Sequence, residues 1–389
     1  MSEQKRTADI YLGIMTGTSL DAIDVAACRF DGKHVELLAF HSVEWPTAIR
    51  EILMELATAE MVSMDLLART HFLLAREYAK AVEQTLEQST IAKSDVRAIA
   101  LHGQTIRHLP IAESVRGLDP IAATYQLGSG SALAALMGID VVSDFRSGDV
   151  ALGGQGAPLV PMFDYAFLAS ESEDRLVVNI GGIANVTWLP RDAKPEDVIA
   201  FDSGPGNMLL DSISSRYFGE SYDKDGNRAR NGTINDAILQ QLLGHPYFAM
   251  KPPKSTGREL FGEEFLRTIT QAIDNAKMSV NDALATLTEL TARSIADTLT
   301  FVTTKNVEVE IIVSGGGAMN LFLMERIQFH APNAHVVSSD LYNIPAKAKE
   351  AIAFAFFGKA FLEEIPIHLP QTTGASRKII LGSHSLGMR

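Results

Sequence analysis

Residues 10–29, IYLGIMTGTSLDAIDVAACR, set the tightest limit on what this chain can fold into. An apolar run breaks at Gly17-Thr18-Ser19, passes Asp21 and Asp24, and resumes as a second apolar run. The pattern predicts two strands joined by a small, donor-rich turn. Backbone N–H groups and two hydroxyls in such a turn can converge on one anion, and glycine lets a ligand approach closely. A Walker loop is excluded, because no Gly-Lys-Ser/Thr is present and the following segment has strand character. By itself the segment fits a phosphate grip or an ordinary hairpin with a surface aspartate equally well.

The pattern then repeats. After the opening hairpin we expect a third strand near 35–42, helices over 49–56 and 64–86, a strand at 96–101, a helix near 131–137 and a strand at 139–143. Strands at 176–180 and 183–189 enclose Gly181-Gly182, and a short strand follows at 200–203. Helices are expected near 208–217, 235–243, 263–276 and 280–303. A strand at 309–314 closes in Gly315-Gly316-Gly317, ahead of a helix over 320–329 and a strand over 335–338. Two α/β halves, each opened by a glycine-turn hairpin, imply a duplicated unit. The 389 residues are enough for two cores.

Charge and cysteine content narrow the function. A net charge of −13 argues against a general nucleic-acid binder, which needs a basic footprint. A small anionic substrate stays open, since a pocket can be locally cationic. The single cysteine, Cys28, rules out an internal disulfide and reads as a buried, inert thiol. No long apolar stretch follows the charged start, and no run of about 18 apolar residues occurs. A cytoplasmic protein with no membrane contact is expected.

Several motifs have chemical content. Asp202, in FDSGPGN, ends a short strand where open α/β sheets place ligands, and is read as a general base over a helix or turn cap. Gly181 and Gly182 could offer N–H donors to a phosphate, or serve a turn that needs positive φ. Three glycines at 315–317 exceed what a strand–helix turn requires and leave room for a nucleoside; Asn320 fits a helix cap. LHGQTIRH places Gln104, Thr105 and Arg107 after a strand, on what reads as a loop. Their side chains suit sugar hydroxyls and a carboxylate, which Arg107 could pair in a fork. His102 and His108 lack the spacing and carboxylate of a metal site. Arg146 lies in a glycine-rich stretch that is either a substrate loop or an interdomain crossover. Residues 254–258, KSTGR, fit an anion contact or a solvated loop, and Glu350 suits the start of a helix.

Together, MTGTSLDAID, HGQTIRH, DFRSGDVALGGQGAPLVP, NIGGIANVT, FDSGPGN, PKSTGRE and SGGGAMN resemble, in order, the motifs of the anhydro-N-acetylmuramic acid kinases. The resemblance covers nearly the whole chain. It implies the actin/hexokinase/Hsp70-type fold, an α/β architecture of two ribonuclease-H-like domains about an ATP cleft. We place the first domain, with the first phosphate loop and part of the sugar site, at residues 1–138. The second, at 139–389, holds the second phosphate loop, the catalytic aspartate and the nucleoside site, and its tail has the option of returning to the first. The implied reaction opens the 1,6-anhydro ring with water while O6 takes the ATP γ-phosphoryl group.

Residue by residue, the resemblance makes Asp202 the base. It assigns Gly17, Thr18, Ser19 and Asp21 to the first phosphate loop, and Gly181 and Gly182 to the second. Gly315, Gly316, Gly317 and Asn320 fall on the nucleoside side. Thr105 becomes a sugar contact, joined by Gln104, Arg107 and Arg146 as substrate-binding candidates, and Asp21 and Glu350 become candidate magnesium partners. ATP and Mg2+ are the implied cofactors, and a homodimer the implied assembly. Two alternatives remain: a kinase for a plain anhydrosugar such as levoglucosan, and a non-catalytic ATP-binding regulator.

Overall fold

The computed structural model describes residues 9–17, 20–257, 259–275, 277–303 and 308–388. It divides into two compact units, Met1–Phe167 with Ala348–Arg389, and Leu168–Lys347. The expectations at Thr18, Ser19 and Arg258 lie outside the described residues.

In the first unit, β1 (Ile10–Met15), β2 (Ala22–Asp31) and β3 (His34–Glu44) run antiparallel in sequence. Helices α1 (Thr47–Thr58) and α2 (Met64–Ser89) follow. The Ser63 side chain starts α2 by accepting the Leu66 N–H. Strand β4 (Val96–Leu101) returns parallel to β1. Next, β5 (Gln104–Glu113) and β6 (Ile121–Leu127) form a separate two-stranded ribbon where the sequence suggested a loop. Helix α3 (Gly130–Met137) leads to β7 (Val141–Ser143), parallel to β4. Leu12, Ile14, Val25, Ile99 and Val141 from the sheet bury against Leu53, Leu74, Tyr78 and Val82 of α1 and α2. This apolar layer drives the unit together. Helix α4 (Pro161–Leu168) closes the segment.

In the second unit, β8 (Asp174–Ile180), β9 (Ile183–Leu189) and β10 (Ile199–Pro205) repeat the antiparallel run. Helices α5 (Met208–Phe218) and α6 (Val280–Ala296) come before β11 (Val309–Ser314), which is parallel to β8. Helix α7 (Leu321–His330) and β12 (Ala334–Ser338), parallel to β11, complete the sheet. Counting strands within each unit's sheet, both have the order third, second, first, fourth, fifth. In both, the second strand opposes the first, and the fourth and fifth follow it. This ribonuclease-H-like arrangement therefore occurs twice.

The first unit continues past residue 138, where we placed its end, because β7 hydrogen-bonds to β4 and cannot leave that sheet. The chain comes back to it at residue 348. Helix α8 (Lys349–Leu362) packs on β1, and β13 (Ser383–Ser385) pairs with β7. The α8–β1 approach is so close that a Cβ on Gly13 would lie 1.9 Å from the Ala351 carbonyl oxygen and 2.4 Å from the Ala355 nitrogen. Gly13→Ala is therefore expected to cost about 1–3 kcal/mol through overpacking. A thermal melt of the variant that matched the parent would contradict this contact. Among the described residues, no helix is long and apolar enough to cross a membrane.

Candidate active site

In the first unit, the exits of β1 and β4 are stitched together. Thr16 Oγ1 donates to the Gly103 carbonyl at 3.0 Å, and Gln104 Nε2 donates to the Gly17 carbonyl at 3.1 Å. Gln104 is buried, and its Oε1 has no hydrogen-bond partner among the described residues; its visible task is to shape the first turn. Asp21 is exposed and sits 3.6 Å from Arg50. Asp24 faces Met15 across the hairpin.

The HGQTIRH residues divide. Thr105 Oγ1 accepts from Gln126 Nε2 at 3.2 Å. Arg107 turns away, donating to the carbonyls of Leu56 at 2.8 Å, Ala57 at 2.5 Å and Ile106 at 2.9 Å, and also to Ala59. It thereby satisfies carbonyls left open at the end of α1. Arg146 donates to the Gly156 carbonyl at 2.6 Å and, through Nε and Nη2, meets His102 Nε2 at 3.1 and 2.8 Å. Burial lowers the Arg146 pKa to about 10, opposed by the charges of Glu350 and Asp149. Because His102 Nε2 accepts, its proton lies on Nδ1. Burial and the Arg146 cation hold this imidazole neutral.

A polar cavity of about 360 Å3 lies where β4 and β7 end, lined among others by His102, Gln126, Ser129, Ser131, Asp144 and Ser147. Its volume is in the range of small-molecule sites, and it occupies the strand ends where α/β sheets bind ligands. A cavity of about 730 Å3 beside Asp9, Lys93, Arg97 and Asp140 lies at the opposite end, where β1 and β4 begin.

Glu350 is the second residue of α8. Burial raises its pKa, Lys349 and Arg146 lower it, and Asp24 and Asp164 raise it further. Lys349 Nζ is 2.7 Å from Asp164 Oδ1, and both side chains are buried. A second buried cluster ties the chain's return to the glycine-rich stretch. His368 Nε2 lies 2.5 Å from Asp149 Oδ1, Thr373 Oγ1 donates to the same oxygen at 2.5 Å, and the Gly156 N–H donates to Oδ2 at 2.6 Å. Asp149 is thus the hub that holds the carbonyl to which Arg146 donates.

In the second unit, neither Gly181 nor Gly182 has positive φ. A Cβ there would meet only ordinary contacts, at 3.6 Å from the Ile183 carbonyl oxygen and 3.7 Å from the Met208 Cβ. Neither turn geometry nor packing asks for glycine at these positions. Gly315 and Gly317 differ. Gly315 has φ +79°, and added Cβ atoms would lie 2.6 Å from the Ile180 carbonyl oxygen at 315 and 2.3 Å from the Ile180 side chain at 317. Two of the three glycines are therefore explained by packing on β8, and Asn320 caps α7 through the Leu323 N–H at 3.0 Å.

Asp202 lies on β10 opposite Asn185, beside an irregularity in the pairing. It caps no helix. Its Oδ2 accepts the Thr256 N–H at 2.9 Å, and Oδ1 accepts none from the described residues. Burial pushes its pKa up to about 6, with the Thr256 N–H opposing, Glu259 raising it and Lys254 lowering it.

A sequence model described as anhydro-N-acetylmuramic acid kinase matches residues 9–386. The anhydro-N-acetylmuramic acid kinase of Shewanella pealeana is 42% identical over 373 residues, covering 96% of this chain and 97% of that one. The one from Xanthomonas axonopodis pv. citri is 43% identical over 380 residues, covering 96% and 97%. The chain belongs to the anhydro-N-acetylmuramic acid kinase family. Among solved structures, the activator of 2-hydroxyisocaproyl-CoA dehydratase from Clostridium difficile, with bound ADPNP, aligns at TM-score 0.47 and 10% identity, over 90% of this chain and 93% of that one.

In this anhydro-N-acetylmuramic acid kinase family member, the four substrate candidates do not form one set. Thr105 reaches the cavity wall through Gln126, Gln104 shapes the first turn, Arg146 holds His102, and Arg107 serves α1. We expect Arg107→Ala to lower stability by about 1–3 kcal/mol, the cost of part-buried acceptors left unpaired. The KM for the sugar should stay within about twofold of the parent's. A large rise in that KM with an unchanged melting temperature would return Arg107 to the substrate.

Proposed function

We propose that the chain carries out its family's reaction. With ATP and water it opens the 1,6-anhydro ring of anhydro-N-acetylmuramic acid and phosphorylates O6, giving N-acetylmuramic acid 6-phosphate and ADP. Its place is cell-wall recycling in the cytoplasm. The observation that carries this is Asp202: a half-buried carboxyl with one oxygen held, the other accepting no hydrogen bond from the described residues, and a pKa raised to about 6. Such a group is poised to take a proton from water near neutral pH.

The open Oδ1 removes that proton as the water oxygen bonds to C1. The C1–O6 bond breaks, and its electron pair leaves O6 as the nucleophile for the γ-phosphorus. ADP departs as the phosphoryl group moves. The glycines at 181 and 182, required by neither φ nor packing, leave space for phosphate oxygens. Gly17, Thr18 and Ser19 are assigned to the first phosphate loop, and Gly315–Gly317 with Asn320 to the nucleoside edge. The polar cavity at the ends of β4 and β7 suits the sugar, with Thr105 bonded to Gln126 of its wall.

Magnesium fits the carboxylate chemistry near Glu350. This ion is commonly held by one or two carboxylates with phosphate oxygens and waters. Glu350, with Asp24 as a charged neighbour, would hold it, whereas Asp21 would first have to leave Arg50. When bound, the metal neutralises charge on the transferring phosphoryl group. A homodimer completes the proposal, and light scattering that gave a monomer mass would remove that part.

The test is a coupled ADP-release assay with ATP, magnesium and the muramic anhydrosugar, with levoglucosan in parallel. Release with the muramic sugar and a ring-opened 6-phosphate is the expected result. Release with levoglucosan alone would move the substrate. Folded protein that binds ATP and turns over neither sugar would favour the regulator.

A further inference from the structure

We propose that Lys254 is a positioning residue for Asp202, a role that rests on Asp202 being the base. Its sequence context, KSTGR, allowed an anion contact or a solvated loop. The structure supports neither reading for the lysine itself, which is buried. Its ammonium stands 5.9, 4.6 and 5.0 Å from the ring centroids of Phe201, Tyr247 and Phe301. It donates to the Tyr247 carbonyl at 3.2 Å. A desolvated cation among aromatic faces is held strongly in place.

What this anchor holds is the mount of Asp202. The Asp202 N–H donates to the Lys254 carbonyl at 3.1 Å. The Tyr247 hydroxyl donates to the Asp202 carbonyl at 2.8 Å, and the Thr256 N–H donates to Oδ2 at 2.9 Å. The base is gripped at three atoms by two short segments, and the Lys254 side chain ties those segments to each other. Filling this space alone would favour an apolar side chain, because burying an ammonium costs free energy. The charge has a use only if something nearby benefits from it. Among the described residues, the charged and titratable groups acting on Asp202 are Lys254, Glu259 and Tyr247, and β9 presents the uncharged Asn185. Lys254 is the cation of the set and opposes Glu259, favouring the ionised form a base needs.

The experiment compares Lys254→Met, Lys254→Arg and Asp202→Asn in the full-length chain, recording kcat against pH, both KM values and the melting temperature. Lys254→Met keeps length and removes charge. We expect its kcat to fall at least tenfold near pH 6.5 with the KM for ATP within about twofold. Its acid limb should move up by about one pH unit, because Asp202 loses a neighbouring cation. Lys254→Arg should restore the parent limb and part of kcat. An unmoved acid limb in Lys254→Met would overturn the proposal, as would a Met variant at least as active as the Arg variant, which a purely space-filling role predicts. Asp202→Asn with full turnover would instead defeat the base assignment on which the proposal rests. If Lys254→Met does not fold, Tyr247→Phe decides, since it deletes only the hydroxyl on the Asp202 carbonyl. A severalfold loss of kcat at constant KM for ATP supports the mount, and parent kinetics overturn it.

Discussion

Asp202→Asn should lose turnover by about 10²–10⁴-fold, the usual contribution of a general base, while ATP binding stays within about twofold. The substitution keeps the shape and the Oδ1 oxygen but removes the basicity. If Asp202 is the proposed base, the same carboxyl should set the pH dependence of the parent enzyme. Its pKa is raised to about 6, chiefly by burial, so it is ionised above that pH and protonated below it. Since the base works ionised, kcat should be flat at pH 7–8. It should fall about tenfold per pH unit well below 6, and the Asn variant should lack this limb. Rate measurements by ADP release and nucleotide binding by calorimetry check both parts. A variant with parent kcat, or a parent whose kcat holds constant down to pH 4.5, would refute the assignment.

Lys349→Met carries the largest expected loss of stability. Lys349 and Asp164 pair at 2.7 Å with both side chains almost completely buried. Removing one partner strands a charge, at about 3–5 kcal/mol, whereas replacing both with apolar residues of similar size is commonly neutral or favourable. Lys349→Met should therefore unfold the first unit at clearly lower urea concentration. Adding Asp164→Leu should recover most of the difference. A single variant as stable as the parent, or a double variant worse than the single, would count against a buried pair. The pair also sits one residue from Glu350, so a displaced α8 start should raise the KM for Mg-ATP in the single variant.

The strands of both sheets were legible because they have a buried face: Leu12 and Ile14, or Val178 and Ile180, are fully buried and repeat at the period of a strand. The ribbon of β5 and β6 escaped for the opposite reason. Leu109, Ile111 and Ile121 on it are exposed, so no core imposes an alternating pattern, and it reads as a loop. Within the site, Asp202 stood out because the sequence read it as the end of a short strand; in the structure it lies mid-strand, since pairing with β9 carries β10 on to Pro205. Its supports did not stand out, since Tyr247 and Thr256 come from 45 and 54 residues further on. The Asp149–His368 contact spans 219 positions and leaves no local signal. Glycine was the least reliable guide. It marks open space at 181 and 182 but tight packing at 315 and 317, and only coordinates separate the two.

The return of the chain at residue 348 decides the order in which the protein can be made. Leu168–Lys347 is a continuous stretch and can collapse as soon as it clears the ribosome. The unit begun first cannot finish first. Its opening strand needs the backbone of α8 against Gly13, and its edge strand needs β13. Until those residues are synthesised, one face of β1 has no cover and the edge of β7 has no partner. A nascent chain stalled shortly after residue 347 should therefore contain a protease-resistant second unit and a protease-sensitive N-terminal segment.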